Sequence, residues 1–142
     1  MARLADTKLI KTPVIQDTRG NLSIIENGIN IPFEAKRIFY LFDVPSGTVR
    51  TGHAHKKCKH VIFALSGSFD VVLDDGFDNQ RIHMNRAYNG LYMPEMMWRE
   101  LDNFSSGAVC LVFASEHYDA TDYIRSYDKY VQLNNPSGTL MV

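Results

Sequence analysis

Long apolar runs are absent from this sequence. The strongest, "VCLVFA" at residues 109–114, falls far short of the roughly 20 residues that a helix needs to span a bilayer. The opening "MARLADTKLIKTP" holds no uninterrupted apolar stretch of the kind that directs secretion. A soluble, cytoplasmic protein with no membrane partner is therefore expected. An excess of one charge is also missing, since 15 Lys and Arg face 16 Asp and Glu. No basic field is available for nucleic acid, so any anionic ligand must be met locally by a few side chains. Cysteine is scarce: Cys58 and Cys110 are too few for a disulfide framework and lack zinc-type spacing, which leaves buried thiols in a reducing compartment. Internal repeats, low-complexity tracts and linkers are lacking too. The 142 residues, 45% hydrophobic, make a single domain over 1–142, large enough to bury about two thirds of the surface of its unfolded chain.

What the chain does have is a beat of short apolar and β-branched stretches, each bounded by Gly, Pro, Asn or Asp: "NLSIIE", "KRIFYLFDV", "HVIFALSGSFDVVLDDG", "RIHM", "NGLYMP" and "AVCLVFASE". This rhythm predicts an all-β fold, an antiparallel barrel or jelly roll. "LDDGFDN" reads as a hairpin loop, because Asp and Gly tolerate the positive φ of tight turns. Only the tail changes period: Tyr123, Tyr127, Tyr130 and Val131 recur at helical spacing behind Asp119 or Thr121 as a cap. One short carboxy-terminal helix is expected there, followed by a polar "NNPSG" fray.

The chemistry concentrates in "TGHAHKKCKH", residues 51–60. On a strand, residues i and i+2 share a face about 7 Å apart, so His53 and His55 are neighbours in one pocket. Two imidazoles at that spacing suit either metal ligation, with His60 as a third ligand, or proton transfer near pH 7.

The H-x-H pair followed by His60 and Gly67 resembles the first motif of the cupin superfamily. In metal-binding cupins a second motif supplies a further histidine ligand. The matching stretch here, "GLYMPEMMWRELDN", keeps Pro94 but carries Arg99 where that histidine is expected. Arginine stays protonated and has no lone pair to give a metal. A metal-free site is expected, with no cofactor.

Several longer stretches together resemble the cupin-fold sugar nucleotide 3,4-ketoisomerases that act on dTDP-4-keto-6-deoxy-D-glucose: "DTRGNLSIIE", "IPFEAKRIFYLFDV", "RTGHAHKKCKHVIFALSGSFDVVLDDG" and "GLYMPEMMWRELDNFSSGAVCLVFASEHYDATDYIRSYDKY". The resemblance implies a cupin-type antiparallel β-barrel or jelly roll with one short C-terminal helix. It also implies an isomerase that moves a ketone from C4 to C3 of a dTDP-linked sugar through an enediol, in the making of 3-amino-3,6-dideoxy sugars for surface polysaccharide. His53 and His55 match the family's two catalytic histidines, and His53 is assigned to the carbon-bound proton. Arg50, Arg37 and Arg19 match arginines of the ligand pocket, Tyr92 and Trp98 are candidates to stack on thymine, and Arg99 joins the substrate-binding set. Arg19 looks like the type that gives a galacto product and Arg99 like the type that gives a gluco product. His60 stands where relatives carry Gln or similar. Relatives are dimers, so a homodimer is expected. The competing functions are a dTDP-sugar 3,5-epimerase-like cupin, a non-catalytic sugar-nucleotide binder and a metal-dependent dioxygenase.

Overall fold

Alternation of side chains is what turns these segments into strands. A computed structural model describes residues 1–137 of the chain. In strand β7 (Phe69–Asp74), Phe69, Val71 and Leu73 are wholly buried on one face, while Asp70, Val72 and Asp74 take the other. The other strands of the two sheets are β1 (Lys8–Lys11), β4 (Arg37–Leu41), β5 (Arg50–His55), β6 (His60–Ser66), β8 (Asn79–Met84), β9 (Asn89–Met93), β10 (Trp98–Asp102), β11 (Val109–Ala114) and β12 (Tyr123–Ile124); in β6 both faces are covered and residues 60–64 are all buried.

These strands form two five-stranded sheets, ordered β1-β9-β6-β11-β4 and β12-β5-β10-β7-β8. Every pairing within them is antiparallel. Ile62, Leu91, Met93 and Val112 from the first sheet meet Phe69, Val71, Leu73 and Met84 from the second in one buried cluster. The sheets therefore face each other across a shared core, as a jelly roll requires. Each such side chain contributes about 1.5–3 kcal/mol by leaving water. The β7–β8 loop is the expected hairpin: Asp75 N–H donates to the carbonyl of Asp78, and Gly76 adopts φ +82°.

β2 (Val14–Asp17) and β3 (Gly20–Ser23) pair only with each other and stand apart from both sheets. Ile15 and Leu22, cross-strand partners in this hairpin, are 55% and 54% exposed.

The expected short C-terminal helix is present, but it begins later than the tyrosine spacing predicts. Asp119 does cap, accepting the backbone N–H of Thr121, but it starts only a 3₁₀ turn, Ala120–Asp122. Tyr123 and Ile124 then pair with His55 and Ala54, and helix α1 (Tyr127–Asn134) begins later behind Ser126, whose side chain accepts from the N–H of Lys129. The edge of β5 needs a strand, and Ile124 is buried beside Ala54, Trp98 and Tyr130; that tertiary demand overrides the helical spacing of Tyr123. Nor does the polar tail fray where expected. The Asn134 side chain donates to the carbonyls of Ala2 and Asp75 and accepts from Ala2 N–H, while Gly138 lies outside the described residues.

Candidate active site

Strand β5 delivers the histidine pair as the spacing predicts, with His53 and His55 on one face and Ala54 on the other, packed against Trp98 and Ile124. The strand can approach so closely because residue 52 is glycine: a Cβ there would sit 2.6 Å from the Trp98 ring. β10 runs alongside with Arg99 opposite His53, and the register slips before Leu101 meets Arg50. Such a bulge re-aims side chains at the rim of a barrel.

Between the sheets opens a cavity of about 520 Å³, walled by Arg50, His53, His60, Arg99, Tyr123 and Arg125 together with Phe39, Leu41, Ile62 and Val112. Its polar lining carries three arginines against one carboxylate, Glu100, so an anionic ligand is favoured there.

The two histidines differ in setting. His53 is half-buried and lines the cavity. His55 stands behind it, 1% exposed, with ring centroids 4.9 Å apart. Its Nδ1 lies 3.0 Å from a carboxylate oxygen of Asp122, and Asp122 is itself held by the backbone N–H groups of Lys57 and Cys58. Burial, seconded by the Arg99 charge, pulls the His55 pKa down to about 4 against the opposing pull of Asp122. His55 is therefore neutral at pH 7. Its proton sits on Nδ1, facing the carboxylate, and its lone pair on Nε2.

Arg99 is a buried cation, 4% exposed. Its Nε donates to the Met97 carbonyl at 3.1 Å and its Nη1 to Nδ1 of His60 at 2.9 Å. Nη2 has no partner among the described residues. Burial brings the guanidinium down to about 10, which leaves it charged at pH 7. His60 is pushed well below the usual histidine range by its own burial and then by Arg99. The arginine occupies Nδ1, so the ring proton belongs on Nε2, toward the Cys58 sulfur at 3.6 Å. His55, Cys58 and His60 bring three metal-capable atoms within 4.8 Å of one another, but a donor already fills one face of His60 and its other nitrogen is protonated. The trio is arranged for hydrogen bonding rather than for a cation.

Of the residues singled out from sequence, His53, Arg50 and Arg99 line the cavity, and His55 backs it. Arg37 stands beside it: its guanidinium lies over the rings of Phe39 and Tyr118, and its charge is felt at His55 and His60. Three of the residues lie away from this cavity within the chain. Tyr92 is on the outer face of the first sheet, against Phe33, because Leu91 and Met93 take the inward positions of β9. Trp98 faces away from the cavity onto Tyr127 and Tyr130 of α1, because Arg99, next in the strand, points in. Arg19 is at the exposed turn of the β2–β3 hairpin, paired with Asp17 at 2.8 Å, away from the cavity of its own chain. Asp122, Tyr123 and Arg125 went unassigned, although they lie in the "YDATDYIR" stretch. Tyr123 packs 4.3 Å from the His55 ring, and Arg125 lies over Tyr123 at 4.4 Å.

Comparison with known proteins agrees with this geometry. The family described as FdtA: WxcM-like, C-terminal, matches residues 5–135. A TDP-4-oxo-6-deoxy-alpha-D-glucose-3,4-oxoisomerase of Aneurinibacillus thermoaerophilus is 45% identical over 125 residues, 88% of this chain and 90% of the relative. Among solved structures, QdtA, a sugar 3,4-ketoisomerase of Thermoanaerobacterium thermosaccharolyticum in complex with TDP, superposes with a TM-score of 0.92 at 39% identity, covering 96% of this chain and 100% of its own. The WlaRB TDP-quinovose 3,4-ketoisomerase of Campylobacter jejuni gives 0.87 at 43% identity over 91% and 99%. With a paired-histidine strand, an arginine-lined cavity and matches along nearly its whole length, the chain belongs to the FdtA, WxcM-like family.

Proposed function

We propose that this chain is a 3,4-ketoisomerase that converts dTDP-4-keto-6-deoxy-D-glucose into a dTDP-3-keto-6-deoxyhexose. The observation that carries the reading is His53 at the wall of an arginine-lined cavity, backed by His55 with its tautomer fixed by Asp122. The C4 ketone acidifies the C3 hydrogen. His53 takes that proton, and the electron pair of the C–H bond moves toward O4 to give an enediolate. A proton passes from O3 to O4, for which His55 is the relay, and return of a proton to C4 leaves the ketone at C3. Atoms and electrons balance with no oxidant or reductant. Arg50 and Arg125 suit the diphosphate, and Arg99 suits the oxygens on which negative charge develops. The ketone left at C3 fits a place in the making of 3-amino-3,6-dideoxy sugars for surface polysaccharide.

The enzyme works as a cytoplasmic homodimer in this proposal. No helix among the described residues is long and apolar enough to cross a membrane. The unsupported β2–β3 hairpin with its exposed Ile15 and Leu22 favours a second copy as its resting place. Arg19, at its tip, then serves the substrate site of the partner.

The test is proton NMR of dTDP-4-keto-6-deoxy-D-glucose with the protein in deuterium oxide. Conversion to the 3-keto sugar is expected, the product signals reading galacto or gluco at C4. His53→Asn should lower turnover by about 10²–10⁴-fold and stop exchange at C3. His55→Asn should slow isomerisation yet leave C3 exchange measurable, and Arg50→Ala should weaken dTDP binding in a salt-dependent way. Binding without any isomerisation would make the protein a binder; exchange at C5 would make it an epimerase.

A further inference from the structure

We infer that His60 is a positioning residue of the isomerisation, holding the buried Arg99 at the cavity wall so that its positive charge is fixed in place for the substrate oxygens. This rests on the isomerase reading above and adds to it a histidine with no assigned part.

Arg99 is held in an unusual way for a buried cation. A buried cation is ordinarily held by a carboxylate, which orients it and cancels its field. Arg99 makes no salt bridge among the described residues. Its guanidinium is instead anchored by two neutral acceptors, the Met97 carbonyl on Nε and the His60 ring on Nη1. Neutral lone pairs fix the plane of the guanidinium without quenching its charge. The fork of Arg is rigid, so fixing Nε and Nη1 fixes the whole guanidinium, including the buried and unpartnered Nη2, on a residue that lines the cavity. A donor held in place before charge develops is what stabilises an enediolate without reorganisation during the reaction.

His60 is built for that task. It is 2% exposed and packs edge-on against Phe39 at 6.1 Å and against His55 at 4.5 Å. Arginine can only donate, so Nδ1 must carry the lone pair. The Cys58 sulfur, 3.6 Å from Nε2, accepts the hydrogen bond of the Nε2–H and holds the ring against flipping. An Asp at this place would anchor Arg99 equally well and cancel its field.

The test has two arms. In the first, ring ¹⁵N shifts of His60 in the substrate-free protein at pH 7.5 should show a neutral ring protonated on Nε2. A ring protonated on Nδ1, or on both nitrogens, overturns the inference, and this signature needs no turnover, so it stands apart from any failure of the isomerase reading. In the second, kcat and KM are measured for His60→Leu and His60→Asn, each alone and with Arg99→Lys, with dTDP affinity and melting temperature as checks on the fold. His60→Leu should lower kcat by about 10²-fold, with KM and dTDP affinity little changed. His60→Asn, whose carbonyl oxygen takes the place of Nδ1, should restore at least about tenfold of that loss. In the Arg99→Lys background His60→Leu should cost little more, because the two act as one unit. Equal kcat in His60→Leu and wild type, or the same loss with and without Arg99, would overturn the inference. If the Leu variant fails to fold, the Asn variant decides together with the ring shifts: a kcat that falls about 10²-fold in a folded, dTDP-binding His60→Asn protein sinks it.

Discussion

Arg99 puts a fixed positive charge at the cavity wall. It is buried, carries no lone pair and occupies Nδ1 of His60, so a divalent ion placed among His55, Cys58 and His60 would sit beside a guanidinium and would first have to displace a ring proton. Turnover is therefore expected to survive exhaustive dialysis against a chelator. Loss of activity on chelation, with recovery on adding Fe²⁺, Mn²⁺ or Zn²⁺, would show that the reaction runs through a metal. At this scale the sequence was informative where chemistry follows from spacing. The i, i+2 relation puts His53 and His55 together, and Arg99 in place of a histidine already speaks against a ligand. The difference between the two histidines was not legible: His55 is buried and meets Asp122, 67 residues away, and only the fold brings either about. Strand parity also decides Tyr92 and Trp98. Once Arg99 faces in, its neighbour Trp98 must face out.

The elements carry a second kind of information, namely which of them lack a partner. Strand rhythm was readable because the strands are short apolar stretches bounded by turn residues, some of them, such as β7, burying one face wholly. The start of α1 was not readable, since Tyr123 obeys helical spacing and is nevertheless claimed by the edge of β5. The β2–β3 hairpin is the clearest unfinished element. A lone two-stranded hairpin is marginal in water, and Ile15 and Leu22 present their apolar faces together to solvent. The outer side of β4 offers Ile38 and Tyr40, 57% and 59% exposed. Burying a pair of aliphatic side chains between copies would supply about 3–6 kcal/mol, so replacing both by Asp should weaken the dimer by at least about 10²-fold. Sedimentation velocity across a dilution series checks this. The Ile15→Asp/Leu22→Asp protein should run as a monomer at concentrations where wild type is a dimer, with its melting curve otherwise intact. A wild-type monomer, or a double variant that dimerises as well as wild type, would remove the hairpin from the interface and with it the proposed route of Arg19 to the substrate.

For the molecule as a whole, the site is a burden on stability that pH exposes. Net charge is close to zero at −1, so overall charge repulsion does not dominate near neutrality. The dominant titration is that of buried histidines. His55 is held at about 4, chiefly by burial, and His60 well below 6.5 for the same reason. In the unfolded chain both would titrate near 6.5. Below that pH the unfolded state binds protons that the folded state refuses, so stability rises with pH in this window and is lost as pH falls through it. Each histidine should remove about 1.4 kcal/mol per pH unit once its unfolded form is charged. For His55 the loss ends near pH 4, where the folded ring protonates as well. The lowered carboxylates, Asp17, Asp70, Asp75 and Asp119, act with the same sign but below their ordinary value of 3.8, so the decline between pH 6.5 and 5 belongs to the histidines. Urea unfolding at half-unit steps from pH 7.5 to 5 should show a plateau above 6.5 and a steepening fall below it. His60→Asn, which removes one of the two titrations, should flatten that fall by about half. Constant stability across the window would mean that the rings take up protons as readily in the folded protein as outside it, and the neutral His55 and His60 on which the proton relay and the Arg99 anchor depend would have to be given up.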